Sequence, residues 1–228
     1  MITKILKRSA LIIHNDGNDR TLEEYESMQL NIEFLAFERK CKTLLFTSPG
    51  SKEGKSTTVA NLGISLARSG KKVLLVDAHV KKPSINQLFK IKNSLGLTNI
   101  LAGQRAFGDT INQTEVENLK VITSGPIPYN TEKLFRSNAM EVFLKQAALH
   151  FDYVLLDGPP VLDEVDTKVL TNKCDGTILV IRNGKTEDEL ALEAKKALDI
   201  AKGKVIGVVL NRKRRTFSFK KMKGVHTF

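Results

Sequence analysis

The sequence predicts an α/β fold in which a doubly wound, mostly parallel sheet is flanked by helices. From residue 42 onward, short runs rich in leucine and β-branched residues alternate with longer amphipathic stretches, which is the order of strands and covering helices in a parallel sheet. The short runs are nearly all apolar, which indicates strands buried on both faces. The chain has 228 residues, of which 41% are hydrophobic, and this suits one sizeable domain with a real core.

Six strands and five longer helices are predicted along the chain. A helix over 22–37 precedes the first strand, because its apolar residues recur at helical spacing. Strands are predicted over 42–47, 72–77, 119–123, 153–157, 176–181 and 204–210. Further helices are predicted over 55–68, 132–149, 164–171 and 186–201, with short helices and loops between 82 and 118. Thr186 and Glu189 have the spacing of a capping box, which predicts that Thr186 caps the last helix.

The composition argues against several classes of protein. No apolar run approaches the roughly 20 residues that cross a bilayer, and the first residues lack the apolar core of a secretory signal, so we expect a cytoplasmic protein. Cys41 and Cys174 form no C-x-x-C motif and the four histidines show no H-x-x-x-H spacing, which disfavours a disulfide framework or a structural zinc site. The net charge of +11 favours anionic partners without choosing among nucleotides, nucleic acids and membranes.

The most informative segment is the glycine-containing turn between the first strand and the helix that starts at 55. In a phosphate loop, backbone N–H groups and the helix N-terminus hold phosphate oxygens, a lysine reaches the β and γ phosphates, and the next hydroxyl binds Mg²⁺. Lys55 and Ser56 fit the last two roles. The pattern is not strict, because Pro49 stands where the first glycine is expected and Gly50 follows it. The alternative is an ordinary strand-to-helix turn with an exposed lysine, which the flanking strand and helix disfavour.

Two carboxylates stand at the ends of buried strands. Asp77 ends the second predicted strand, and Asp157 ends the fourth. Ligands of open α/β sheets bind at the carboxyl edge of the strands. A single aspartate at such a position is more often a helix cap or a turn residue. Two of them after a phosphate loop predict that Lys55, Asp77 and Asp157 converge on one nucleotide.

Six segments resemble those of the cytoplasmic bacterial tyrosine kinases (BY-kinases) of capsule and exopolysaccharide synthesis, which are relatives of the MinD and ParA ATPases. They are 54–58, 74–83, 96–101, 125–128, 152–160 and 207–211. The Lys-Pro at 82–83 and the Asp-Gly-Pro-Pro at 157–160 look like the kinase branch rather than MinD or ParA. The resemblance extends over most of the chain and implies a P-loop NTPase fold of the MinD/ParA type.

The resemblance also implies an activity and the residues that carry it. The reaction would be Mg²⁺-dependent transfer of the ATP γ-phosphoryl group to protein tyrosines. For this reaction the protein has mainly to align the reacting groups and to stabilise the charge on the phosphate oxygens. The catalytic residues would be Lys55, Asp77 and Asp157, and Asp77 would accept the tyrosine proton or position the attacking oxygen. Ser56 and Asp157 would hold Mg²⁺. The ATP site would comprise Gly50, Glu53, Gly54, Lys55, Ser56, Thr57 and Asn211, with Thr57 near the α phosphate and Asn211 near adenine.

Two departures from the family pattern lie in the site itself. Ser51 and Lys52 stand where the family usually has Pro-Gly, and His79 stands where it has a second aspartate after the second strand. Mg²⁺ prefers oxygen ligands, so a histidine is a poor replacement for a carboxylate beside it. We therefore expect Lys52 and His79 to weaken the activity.

Two further departures concern association and self-modification. Glu23, Glu26 and Gln29 occupy the positions of the ring-forming Glu-x-x-Arg-x-x-Arg motif, so the arginine forks that pair with a neighbour's carboxylates are missing and homo-oligomerisation is left open. The chain has three tyrosines and its tail has phenylalanines instead. Tyrosine self-phosphorylation in the tail is therefore not expected.

The expected domain organisation is an N-terminal extension with one helix over 1–40, a nucleotide-binding kinase domain over 41–212 and a basic tail over 213–228. The resemblance implies protein tyrosine substrates and an activator, the cytoplasmic segment of a membrane polysaccharide copolymerase. The tail is either a solvated end or a contact with anionic lipid at the inner face of the cell membrane. No nucleic-acid partner is expected, because no binding motif accompanies the charge.

Two other functions remain open at this point. One is a catalytically weak or inactive module that binds ATP and signals by shape. The other is a MinD-like or ParA-like ATPase switch, which would dimerise with ATP and bind membrane or DNA through the tail.

Overall fold

The computed structural model describes Leu11 and residues 19–211. Seven strands in this part of the chain form one sheet. The strands are β1 (Thr43–Thr47), β2 (Val73–Asp77), β3 (Asn112–Gln113), β4 (Leu119–Ile122), β5 (Tyr153–Asp157), β6 (Gly176–Arg182) and β7 (Val205–Asn211). Their order in the sheet is β3-β4-β2-β5-β1-β6-β7. Every neighbouring pair is parallel except β3 and β4, so the predicted doubly wound, mostly parallel sheet is confirmed.

Helices cover both faces of the sheet. They are α1 (Asp19–Arg39), α2 (Lys55–Arg68), α3 (Ile85–Leu88), α4 (Leu97–Leu101), α5 (Thr131–Arg136), α6 (Asn138–His150), α7 (Asp166–Lys173) and α8 (Asp188–Ile200), with a 3-10 helix at Phe107–Thr110. One core packs α1, α2 and α3 against one face of the sheet, and the remaining helices pack on the other face. The central strands β1 and β2 are fully buried because helices cover them on both sides.

The N-terminal helix α1 is part of the core. Ile32 and Ala36 are buried in the same cluster as α2 and the sheet, and Ser65 of α2 donates a hydrogen bond of 2.8 Å to the Gln29 side chain. Gln29, at one of the positions where the family motif has arginine, therefore faces α2. The domain boundaries at 40 and 212 stay predictions, and the basic tail lies outside the described residues.

Three local predictions are wrong. The helix over 132–149 is two helices, because Ser137 is extended (φ −63°, ψ 158°) and its hydroxyl bonds the Leu134 carbonyl at 2.6 Å. Thr186 does not cap the last helix, which begins at Asp188. The strand β7 is not buried on both faces: Val208 and Leu210 are 58% and 51% exposed, because β7 is an edge strand and none of the described elements covers these side chains. Between 82 and 118 the short helices are confirmed, and β3 was not predicted.

Among the described residues, no helix combines the length and the apolar character needed to span a bilayer.

Candidate nucleotide-binding site

A cleft of about 500 Å³ opens at the carboxyl edge of the sheet, above the turn between β1 and α2. Its lining includes six of the residues predicted to bind ATP, namely Gly50, Glu53, Gly54, Lys55, Ser56 and Thr57. The other walls come from the segment after β2, with His79, Lys82 and Ser84, and from Pro160 after β5. The cleft lies at the strand ends because, in a parallel sheet, the loops that follow the strands meet at one edge.

The backbone of the turn has positive φ angles at two positions. Lys52 and Gly54 both have positive φ, 62° and 89° respectively. Such angles are favourable for glycine and strained for lysine. The turn leads directly into the first residue of the 14-residue helix α2, whose free N–H groups and positive dipole end favour anions.

Lys55 and Asp157 form a buried ion pair at the base of the cleft. The Lys55 Nζ is hydrogen-bonded to Asp157 Oδ1, and the two side chains are 6% and 0% exposed. The other carboxylate oxygen, Asp157 Oδ2, is buried and has no hydrogen-bond partner among the described residues. An unpartnered buried carboxylate oxygen is costly unless a cation or a proton donor satisfies it.

Asp77 lies beside Asp157 in the neighbouring strand, since the two residues are in register between β2 and β5. Its carboxylate is fully buried and accepts three backbone N–H groups: His79 at 3.1 Å, Ser84 at 2.9 Å and Ile85 at 3.0 Å. Burial, followed by the charge of Asp157, raises the pKa of the Asp77 carboxyl above its ordinary value. The structure thus brings Lys55, Asp77 and Asp157 together, as the sequence predicts, and it ties Asp77 into the turn after β2.

The phosphate turn is held from the far side by β7 and by the loop after β6. Asn211 Nδ2 donates to the Glu53 carbonyl at 2.9 Å. The buried Glu53 side chain accepts from Thr186 Oγ1 at 2.6 Å, and Lys185 Nζ lies 3.7 Å from it. Thr186 therefore braces the turn instead of capping α8, and neither it nor Lys185 was predicted to belong to the site.

His79 takes part in a charged cluster at the edge of the cleft. Its Nε2 lies 3.0 Å from Glu164 Oε1, and Lys81 Nζ lies 3.2 Å from Glu164 Oε2 and 3.6 Å from Asp166. Sequence reasoning missed Glu164, because it lies 85 positions from His79 within an ordinary polar segment. Only the fold brings the two together.

Comparison with known proteins gives a consistent set of relatives. The family model described as "AAA domain" matches residues 50–193. The chain is 41% identical over 192 residues to "Tyrosine-protein kinase YwqD" from Bacillus subtilis (strain 168), covering 84% of this chain and 81% of the relative. The solved structure "Crystal structure of the chimerical protein CapA2B2" matches with a TM-score of 0.85 and 30% identity over 91% of both chains. The septum site-determining protein MinD from Pyrococcus horikoshii, complexed with Mg-ADP, has a TM-score of 0.66 at 23% identity, covering 77% and 72% of the two chains, and shares the fold.

Proposed function

The chain belongs to the bacterial tyrosine-protein kinases, and we propose that it transfers the γ-phosphoryl group of ATP to tyrosine hydroxyls of proteins. The observation that carries the proposal is the buried Lys55–Asp157 pair at the base of a cleft that opens on the phosphate turn, in which Asp157 Oδ2 has no hydrogen-bond partner among the described residues. A cation and an unsatisfied carboxylate at a helix N-terminus suit a metal-bound triphosphate.

The residues of the turn divide the work of binding. In the proposed complex, the N–H groups of the turn and of the first turn of α2 hold phosphate oxygens, and Thr57 lies near the α phosphate. Lys55 leaves Asp157 for the β and γ phosphates, because an anion with several oxygens competes well for the ammonium group. Asn211 ends β7 and donates a hydrogen bond to the Glu53 carbonyl of the turn, and we propose that adenine binds on its side of the turn. Gly50, Glu53 and Gly54 give the turn its shape.

The donor set fits Mg²⁺. The proposed ligands are the Ser56 hydroxyl and the Asp157 carboxylate, both oxygen donors of the kind that Mg²⁺ prefers, and Asp157 Oδ2 has no other partner among residues 19–211. When bound, the ion would neutralise charge on the β and γ phosphates. Substrate phosphates and water would complete its shell.

The acceptor is a tyrosine of another protein. Burial raises the pKa of the Tyr25 and Tyr153 hydroxyls, and both side chains are partly covered, whereas Tyr129 is fully exposed. Exposed tyrosines of partner proteins are the proposed substrates. By the BY-kinase resemblance, we propose a role in capsular or exopolysaccharide synthesis and activation by the cytoplasmic segment of a membrane copolymerase. The basic tail is proposed to contact the anionic inner face of the membrane.

Radiolabelled ATP, Mg²⁺ and a glutamate–tyrosine copolymer would test the activity on the purified chain. A Tyr129→Phe background removes the exposed tyrosine, so that phosphotyrosine reports transfer to the copolymer. We expect Lys55→Met to abolish transfer, because the γ phosphate loses its cation. Lys71→Met is the matched control, since Lys71 also pairs with a carboxylate, Glu33 at 3.6 Å, but on the surface away from the cleft.

Two outcomes would contradict the proposal. ATP binding without any phosphotyrosine would favour a nucleotide-dependent interaction module. ATP hydrolysis with ATP-driven dimerisation, again without phosphotyrosine, would favour a MinD-like switch.

A further inference from the structure

We infer that His79, oriented by Glu164, accepts the proton of the substrate tyrosine. The inference rests on the proposed kinase function and changes one assignment within it, since the family resemblance gives this role to Asp77. It follows from a difference between two side chains: both oxygens of the Asp77 carboxylate accept hydrogen bonds from the backbone, whereas the His79 imidazole lines the cleft.

Asp77 is badly placed to meet a substrate. Asp157 is equally buried but keeps one oxygen without a hydrogen-bond partner among the described residues, whereas the two oxygens of Asp77 already accept three backbone N–H groups. Two of these donors, Ser84 and Ile85, start the short helix α3. Asp77 therefore fixes the turn that follows β2, and with it the position of His79.

His79 is well placed for the same task. Its side chain lines the cleft together with Lys55 and Ser56, the proposed ligands of the γ phosphate and of Mg²⁺. Its Nε2 is hydrogen-bonded to Glu164, whose other oxygen is paired with Lys81. A carboxylate paired with lysine accepts hydrogen bonds only, so Nε2 carries the proton in this arrangement and Nδ1 holds the lone pair. A carboxylate that fixes the tautomer of an imidazole base is a recurring catalytic arrangement.

The surroundings of the His79 ring favour its neutral form, and burial is the main cause. Burial lowers the pKa of His79, the positive charge of Lys55 lowers it further, and Glu164 and Asp157 act in the opposite direction with smaller effect. Lys81 belongs to the same loop and Lys82 lines the same cleft. A neutral imidazole at pH 7 can accept a proton, which an imidazolium cannot.

The proton and electron balance of the step is simple. The tyrosine oxygen attacks the γ phosphorus of ATP, and the bond from that phosphorus to the oxygen bridging the β and γ phosphates breaks. The tyrosine proton moves to His79 Nδ1, and the resulting imidazolium is stabilised by the Glu164 carboxylate through Nε2. ADP leaves, and the imidazolium returns its proton to water.

The test measures the pH dependence of kcat for phosphorylation of the glutamate–tyrosine copolymer by the full chain at saturating ATP and Mg²⁺. We expect the wild-type rate to fall on the acidic side as His79 becomes protonated. His79→Gln should lower kcat by about 100-fold or more, remove this acidic limb and leave the Kd of a fluorescent ATP analogue within about threefold. His79→Asp should regain part of the rate with the limb moved to lower pH, since a carboxyl group titrates at lower pH than imidazole.

Glu164→Gln separates positioning from structure. Without the carboxylate, the imidazolium loses its partner, so the acidic limb should move to lower pH while the folded protein keeps its far-ultraviolet circular dichroism spectrum. A residue that only supported the fold would change the rate without moving the limb. If the His79→Gln variant keeps a rate within about threefold of wild type, or keeps the acidic limb, the inference is wrong and the kinase proposal stands. If the wild-type chain transfers no phosphate to tyrosine, both are wrong.

Discussion

Replacing Gly54 with alanine should destabilise the chain by about 1.5–3.5 kcal/mol, a cost that has two parts in the structure. The backbone of Gly54 has φ +89°, and an L-residue in this region costs about 1–2 kcal/mol. A Cβ built on Gly54 would lie 2.0 Å from Asn211 Nδ2. The amide would have to move and lose its hydrogen bond to the Glu53 carbonyl, which adds about 0.5–1.5 kcal/mol.

Gly70 offers a matched control for the backbone part. It has nearly the same angle, φ +88°, and a Cβ there would meet nothing within 4 Å in the described part of the chain. Gly70→Ala should therefore show the backbone cost alone, about 1–2 kcal/mol. In an Asn211→Ala background the obstructing amide is gone, so Gly54→Ala should cost about as much as Gly70→Ala.

Urea unfolding followed by far-ultraviolet circular dichroism would measure these free energies on the nucleotide-free chain. Equal costs of Gly54→Ala and Gly70→Ala in the wild-type background would refute the reasoning, because Asn211 would then not limit the space beside Gly54. The same result would remove the structural basis for a brace between β7 and the phosphate turn. An undiminished cost of Gly54→Ala in the Asn211→Ala background would refute it equally.

Three further predictions use other features of the chain. Lys52→Gly and Lys202→Gly should each stabilise the protein by up to about 1 kcal/mol in the urea assay, because both lysines have positive φ (62° and 57°), and only Lys52→Gly should change the KM for ATP. Iodoacetamide at pH 8 should leave Cys174 unlabelled until urea unfolds the chain, because burial raises the pKa of its thiol; labelling of the folded protein would contradict this. The raised pKa of Asp77 means that folding favours its protonated carboxyl group. The protonated carboxyl therefore contributes to the free energy of unfolding below about pH 4, and this contribution is lost as the pH rises through the pKa of Asp77 in the folded protein. Asp77→Asn should therefore gain stability relative to wild type between pH 4 and pH 8 without nucleotide, and a difference that does not vary with pH would contradict the shift.

Much of the fold was predictable because its signals are local. The helix α2 and the strand β5 have the predicted bounds. The helical spacing of apolar residues in α2 and the apolar run in β5 are both patterns that about a dozen neighbouring residues are enough to show. The gathering of Lys55, Asp77 and Asp157 was also predictable, since the carboxyl ends of parallel strands share one edge. The break at Ser137 was not, because a serine hydroxyl that bonds a nearby carbonyl looks the same in sequence as one that does not.

The amino-acid order alone predicted six of the seven strands, the turn between β1 and α2 and the two strand-end carboxylates, because each depends on neighbours along the chain. Only the tertiary structure decided which oxygens and nitrogens meet. Thr186, which was predicted to cap a helix, donates a hydrogen bond to Glu53 instead, and Glu164 lies within hydrogen-bond distance of His79. Thr186 and Glu53 are 133 positions apart in the chain, and Glu164 and His79 are 85 apart. They meet because the loops that follow different strands pack together at one edge of the sheet.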